Sequence, residues 1–438
     1  MKYDLIVIGA GPSGLMTSKI AAQKGLKVLL VELKKEIENN LRLCASVLYI
    51  KPGFHGDSEI LEDDKIVFVE NDFAVRYEGG YETINEWFYL SPGGKRFRMG
   101  KKHSPAALAI DKSNLLKCLI EDAKAEGVKL WDESAALRVE NTDKGVKVLI
   151  KKQYSEPQWI EGKKCVVSDG ICSRTTMVSF PDLWSSRKHL AAASGIGYLA
   201  ENINSPWGDN IWALCKNRFG SAYFLPTPMK SRDGNKVWKV LSFSTDPATR
   251  QEKAKQSLDC LVNEDPTAPI FKDMKILGRE GCAWDFYSPI IEPAIENTLL
   301  VGDVCAMQEV DIQGALACGF RAANAVHDEI NGINGFDNYT EWWQGAFEFN
   351  QSDDPMKHLA KGFGLFALGA EVLDYWFSLT ENDMMNAFID HNNLGAFLEA
   401  GFNNHRSTIE KERPHIAKTL DEYFGISAEE AYKGYKKN

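Results

Sequence analysis

The sequence predicts an α/β protein in which a parallel-sheet domain is interleaved with a β-rich domain and followed by a helical C-terminal region, and three observations carry that prediction. The chain opens on an apolar run, Asp4–Ile8 (DLIVI), that leads directly into the glycine-rich turn GAGPSG. Short β-prone pieces and single helices then alternate irregularly up to about residue 330, so pieces of one sheet interrupt pieces of another. Beyond about Gly335 the text is helical and rich in Trp and Phe. At 438 residues the chain is too long for one ordinary hydrophobic core, which agrees with two or three substructures.

Asp4–Ile8 suits a strand buried on both faces, Ser13–Lys24 carries helix formers and stops at Gly25, and Lys27–Val31 supplies a second apolar strand. From Lys65 to Met99, β-prone pieces are separated by Gly-Gly and Ser-Pro-Gly-Gly turns, the pattern of hairpins. Asp111–Glu126 reads as an amphipathic helix ended by Gly127, and VKLWDESAALRVEN, GVKVLIKKQ and KKCVVSDG supply strands after it. A second β-rich, aromatic stretch runs from His189 to Glu280; Leu299–Val301 is a further buried strand and Gln313–Ile330 a further helix. Phe363–Leu379 is the most apolar long stretch, but it carries Glu371 and Asp374 and is short for a membrane span, so it reads as a buried or interfacial helix. The expected division assigns residues 1–65, 100–180 and 281–335 to the parallel-sheet domain, 66–99 and 181–280 to the β-rich one, and 336–438 to the helical region.

The turn has the spacing of a dinucleotide-binding fingerprint. Gly9 permits the tight turn, Gly11 lets backbone approach a pyrophosphate and Gly14 lets helix pack on strand, with Pro12 and Ser13 between them. Amides at the helix N-terminus favour the phosphate charge. Glu32, at the end of the second strand, can accept hydrogen bonds from ribose hydroxyls and would repel a 2′-phosphate. The first domain is therefore Rossmann-like. NAD and FAD share this fingerprint, and Asn297–Val326 separates them: a strand delivers Gly302-Asp303, and a short loop leads to a helix of small residues (Gly314, Ala315, Ala317, Gly319, Ala322, Ala323). In two-segment FAD proteins such an aspartate binds the ribitol and the helix N-terminus faces the flavin. FAD is the expected cofactor, with Gly302, Asp303 and Gly314 in its site.

A third element, Val166–Arg174 (VVSDGICSR), carries Asp169-Gly170 and Ser173. It resembles the D-G-x-x-S segment of the flavoproteins that include p-hydroxybenzoate hydroxylase and the geranylgeranyl reductases. Arg42-Leu43-Cys44-Ala45 and Phe219–Pro226 (FGSAYFLP) resemble the reductases in particular. Those proteins often have a cysteine soon after the first β-α-β unit and a Gly-x-x-Trp-x-x-Pro strand beside the flavin, matched here by Gly220, Tyr223 and Pro226 with tyrosine for tryptophan. The resemblance covers about residues 1–330. It implies a Rossmann-like FAD-binding domain interleaved with a β-sheet substrate domain, Arg42, Asp169 and Gly170 among the FAD contacts, and reduction of carbon–carbon double bonds of an isoprenoid chain on a lipid or quinone. The chain departs from the pattern in four places. Arg174 follows Ser173 directly, Glu309 stands at a usual proline, Ile312-Gln313-Gly314 replaces a Gly-Glu-Gly triplet with only Gly314 matching, and Cys44 is followed by Ala-Ser-Val rather than a glycine pair. An aromatic monooxygenase of the same fold is the alternative, as is a cluster-free flavoprotein passing electrons to quinone; a FAD-binding redox sensor without turnover is a reading of another class.

Nine cysteines include no C-x-x-C pair, which excludes zinc-ribbon and four-cysteine iron–sulfur spacings. The motifs bring Cys44 and Cys305 toward one flavin face, as a redox pair or with one thiol as proton donor; a lowered thiol favours the first and an ordinary one the second. Tyr223 is a further candidate donor. Both cysteines also read as small buried residues, and Cys318 as packing on a tight helix. The aromatic residues that crowd the β-rich region and the tail, Trp87, Phe88, Tyr89, Trp207, Trp212, Tyr223, Phe224, Trp284, Phe286, Tyr287, Trp342 and Trp343, suit either the walls of a lipid pocket or a sheet core. With one dinucleotide fingerprint there is no dedicated NAD(P)H domain, so electrons come from transiently docked NAD(P)H or a reduced carrier of the ferredoxin type. A net charge of −10 gives no general electrostatic reason to bind nucleic acid or an anionic membrane. The fingerprint begins at residue 9, leaving no room for a leader, so the expected location is cytoplasmic, with the tail capping the pocket, dimerising or resting peripherally on a membrane to admit lipid.

Overall fold

The computed structural model describes residues 2–39, 43–49, 58–61, 64–100, 105–171, 173–214, 222–231, 233–244, 250–264, 267–307, 310–352, 357–358, 361–362, 364–365, 368–386, 393–427 and 430. Five strands form a parallel sheet in the order Lys129–Trp131, Val28–Val31, Tyr3–Ile8, Gln158–Val167, Thr298–Leu300. Val28–Val31 is buried throughout and Tyr3–Ile8 at all but one position, as strands covered on both faces require. Gln158–Val167 serves two layers. Its first half pairs antiparallel with Gly145–Lys152, itself paired with Ser134–Thr142, and its second half enters the parallel sheet.

Helix Pro12–Gln23 follows the glycine turn and packs on helix Asp311–Ile330. The small residues of the second helix explain how close the two run. A β-carbon added to Gly319 would lie 2.4 Å from the Ser13 carbonyl oxygen, and the Thr17 hydroxyl donates to the carbonyls of Ser13 (2.8 Å) and Gly319 (3.2 Å). Helix Lys112–Ala125 begins at Asp111, whose carboxylate accepts from the amides of Ser113 and Asn114. A small antiparallel sheet, in the order Val47–Tyr49, Ala107–Ile110, Tyr81–Ile84, lies between this unit and the rest.

The second large sheet has eight strands in the order Lys275–Tyr287, His189–Glu201, Lys236–Ser244, Ala222–Lys230, Ile211–Leu214, Glu86–Leu90, Arg96–Gly100, Met384–Asn386. Strict alternation assigns its faces. Trp87 and Tyr89 join a core with Phe97, Trp376, Phe402 and Phe424, while Phe88 and Leu90 face Trp212, Trp238, Leu258 and Phe271. Helices Ala370–Thr380, Leu394–Glu412 and Pro414–Gly425 cover the first face, and helix Arg250–Asn263 covers the second.

Three strands depart from the expected division. Lys65–Phe68 and Phe73–Arg76 send Ile66, Phe68, Phe73 and Val75 into the core of the parallel sheet, and Lys275–Tyr287 continues past residue 281 as a strand of the second sheet. The tail is shared as well. Helix Gly335–Ala346 buries Phe336, Tyr339 and Trp343 in the parallel-sheet core, whereas Met384–Asn386 adds an edge strand to the eight-stranded sheet. Within the apolar stretch noted above, helix Ala370–Thr380 follows Gly369. Among the described residues, no helix is long and apolar enough to cross a membrane.

Candidate active site

The fingerprint residues meet at the ends of the parallel strands. Gly9 has φ +95°, and a β-carbon there would come within 2.5 Å of the Ser168 carbonyl oxygen; one on Gly14 would come within 1.9 Å of the Gly9 carbonyl oxygen. Gly11 has nothing within 4 Å of such a carbon, so its backbone faces open space. Gly11 is also the N-cap of helix Pro12–Gln23 and makes no side-chain cap, and Pro12 lacks an amide. Ser13 is wedged between two other glycines: its hydroxyl would lie 3.0 Å from a β-carbon on Gly302, and its carbonyl faces Gly319. Glu32 is clamped beside the turn, accepting from the Ala10 amide at 2.7 Å through one carboxylate oxygen and from the Lys34 amide at 2.8 Å through the other.

The D-G-x-x-S segment is fixed to the same turn. The Ser168 hydroxyl donates to the Ile8 carbonyl at 2.9 Å, and the Asp169 α-carbon would lie 2.7 Å from a β-carbon on Gly9. Gly170 has φ +86° and Gly302 φ +76°, conformations that favour glycine. The Asp169 side chain opens toward solvent but is closely walled by protein, which pushes its carboxyl above the usual carboxylate range; hydrogen bonds from Ser173 and Thr175 oppose that. Asp303 stands in the short turn Gly302–Val304. Gly314 lies in the first turns of helix Asp311–Ile330, where a β-carbon would be 3.0 Å from Val310 Cγ1 and 3.4 Å from Phe347 Cε1. The open space at Gly11, the close approaches at Gly9 and Gly14 and the clamped Glu32 fit the adenosine and pyrophosphate of FAD. Asp303, next to Gly302, fits its ribitol. Arg42 lies outside the described residues.

Gln313 is a residue that motif reasoning passed over. It is fully buried, its side-chain oxygen accepts from the Tyr49 amide at 2.7 Å and its side-chain nitrogen donates to the Tyr49 carbonyl at 2.9 Å. The side chain thus imitates a strand neighbour and ties the second FAD segment to strand Val47–Tyr49, which follows Cys44 in the chain. A glutamine in place of the usual glutamate of the Gly-Glu-Gly triplet was the available signal, because an ionised carboxylate accepts but cannot donate, whereas the amide does both.

The two candidate thiols lie in different surroundings. Cys44 is half-buried, and the Ser46 amide donates to its sulfur at 3.4 Å. Burial pushes its thiol up, but the ammonium groups of Lys112 and Lys239, with the Ser46 amide, outweigh burial and the opposing Glu280, so it sits below the ordinary thiol value. Cys305 is 1% exposed, and burial, with Cys318 nearby, pushes its thiol far up. Arg187 binds the same backbone, donating to the carbonyls of Val304 (3.3 Å) and Cys305 (3.1 Å). Cys318 is pushed up to about 12 by burial and faces the Tyr339 hydroxyl. Among the described contacts, none joins Cys44 to Cys305. Tyr223 lies in strand Ala222–Lys230 opposite Phe243; its side chain is outside the described set. Trp87, Phe88, Tyr89, Trp212 and Trp343 are at most 1% exposed and fill packed cores, so they are not pocket walls.

No known family profile matches the chain. Digeranylgeranylglycerophospholipid reductase of Methanococcus vannielii is 24% identical over 205 residues, 46% of this chain and 46% of that protein, so less than half of that relative is aligned. Digeranylgeranylglycerophospholipid reductase 2 of Methanococcoides burtonii is 24% identical over 367 residues, 80% of this chain and 82% of that one. The chain is similar to digeranylgeranylglycerophospholipid reductases. A geranylgeranyl bacteriochlorophyll reductase-like protein of Thermoplasma acidophilum shares its fold, with a TM-score of 0.69 at 18% identity over 96% of this chain and 99% of that one. A halogenase in complex with FAD has the same fold, with a TM-score of 0.61 at 12% identity over 99% of each chain.

Proposed function

We propose that the chain is a FAD-dependent oxidoreductase that reduces carbon–carbon double bonds of an isoprenoid chain carried by a lipid or a quinone. The observation that carries this reading is Cys44, a half-buried thiol beside the parallel-sheet core, lowered by the charges of Lys112 and Lys239, in a chain similar to proteins named digeranylgeranylglycerophospholipid reductases. When bound, the flavin is the source of the hydride. The chain's part is to hold the alkene, exclude water and deliver a proton to the second alkene carbon. Cys44 gives that proton from Sγ, and Lys112 and Lys239 stabilise the thiolate left behind. A lowered thiol is the mark expected of a redox pair, but Cys305 is pushed far up by burial and no described contact joins it to Cys44, so the lowered Cys44 thiol acts alone, as the stronger acid. Cys305, held protonated in the core, takes no part; the Tyr223 hydroxyl is the second donor to be tested. Electrons reach the cofactor from transiently docked NAD(P)H or a reduced ferredoxin-type carrier, because the sequence holds a single dinucleotide fingerprint.

The test is mass spectrometry of prenyl lipids and quinones after anaerobic incubation with the dithionite-reduced protein, beside a sample in air. The expected result is two hydrogens added per double bond without oxygen. Oxygen inserted only in air would replace this reading with the monooxygenase, and no change in either sample would refute both.

A further inference from the structure

The loop that carries Cys44 rests on the eight-stranded sheet through Leu43. On strand His189–Glu201, β-carbons added to Gly195 and Gly197 would lie 2.2 Å and 2.7 Å from the Leu43 methyl carbons, so Leu43 fills the space that these glycines leave. The neighbouring strands carry Lys239, opposite Leu199, and Glu280, opposite Gly197. Their side chains reach across the strand between them and pair at 2.7 Å, with exposures of only 5% and 11%. The second Glu280 carboxylate oxygen is buried and has no hydrogen-bond partner among the described residues. Ion pairs removed from water this far add little net stability, so this pair is better explained by what lies beside it. Leu43 sits in the core of the eight-stranded sheet and Cys44 packs against the core of the parallel sheet, so the sulfur lies where the two meet.

We propose that Lys239, held by Glu280, is a positioning residue for Cys44: its fixed charge stabilises the sulfur once the proton has left, and Glu280 limits that effect so the thiol stays protonated until substrate arrives. This deepens the proposed reduction and rests on it. Among the described residues, the charged groups that act on Cys44 are Lys112, on the helix that starts at Asp111, and Lys239 and Glu280, on the sheet; the two lysines lower the thiol and the glutamate raises it. The two members of one ion pair therefore act on Cys44 with opposite signs.

The experiment is the pH profile of Cys44 alkylation by iodoacetamide in the FAD-loaded protein, read on the Cys44 peptide by mass spectrometry. Wild type is compared with Lys239→Met, Lys239→Arg and Glu280→Gln. Lys239→Met is expected to raise the midpoint by roughly one pH unit and Glu280→Gln to lower it by a similar amount, the usual size for a close charge. Lys239→Arg should leave the midpoint near wild type. Profiles that coincide, or that move the same way in Lys239→Met and Glu280→Gln, would overturn the proposal; Glu280→Gln, which is isosteric, decides it should Lys239→Met fail to fold. The profile is read without lipid. Shifts of the expected sign in a protein that reduces no prenyl chain would refute the proposed reaction while leaving the action of the pair on the sulfur standing.

Discussion

One added carbon at Gly14 would sit 1.9 Å from the Gly9 carbonyl oxygen, whereas in the eight-stranded sheet the decisive groups are large: Trp376 is fully buried, with Phe97, Phe377 and Phe424 rings at 5.5, 5.1 and 5.8 Å. The cradle is shaped by side chains that are missing. The sheet and its helical cover are shaped by side chains that fill. A demand on backbone can be met by almost nothing but glycine, while a demand on volume can be met by many combinations of apolar residues. The cradle therefore tolerates little change in sequence, and the sheet tolerates change as long as its volume is kept.

The largest expected effect is on the filled region. Trp376→Ala removes the centre of the aromatic cover and should cost about 4 kcal/mol of stability, measured by denaturant unfolding, without loss of flavin from the fraction that stays folded. Gly14→Ala reverses the pattern: it should weaken FAD binding by about a hundredfold, equivalent to about 3 kcal/mol, read from the flavin-to-protein absorbance ratio after purification. Equal flavin loss in both variants would erase the distinction between the regions. Gln313→Leu removes the side-chain amide that pairs with the Tyr49 amide and carbonyl and should cost about 2 kcal/mol in the same unfolding assay, with near-wild-type stability showing that water replaces it. The smallest effect sharpens the comparison. Gly25 has φ +83° but nothing within 4 Å of an added β-carbon, so Gly25→Ala should cost about 1 kcal/mol and retain its flavin.

The same contrast governs what the sequence alone reveals. Gly9, Gly11, Gly14 and Glu32 were legible because their spacing within one β-α-β unit is local, and Gly302-Asp303 because a strand and a small-residue helix flank it. Lys239 and Glu280 were not, since only the register of three strands brings them together beside Leu43. Cys44 and Cys305 looked alike as motif neighbours. Burial separates them, and burial depends on the packing of Cys305 with Cys318 and Tyr339, which no motif states. Helix Arg250–Asn263 had its signal, with Ala254, Leu258 and Leu261 at helical spacing and buried on the sheet, but it stood inside a stretch otherwise rich in strands. The edge strand Met384–Asn386 had none, being three residues long within a helical tail.

Reduction of a prenyl double bond is tested most directly by a single turnover without oxygen: protein whose flavin has been reduced is mixed with a lipid bearing one unsaturated isoprenoid chain, and the visible flavin band is followed alongside the mass of the lipid. Return of the oxidised band in step with the gain of two hydrogens per flavin, slowed in Cys44→Ala and unaffected in Cys305→Ala, is the predicted result. A band that stays bleached while the lipid mass stays unchanged would contradict it.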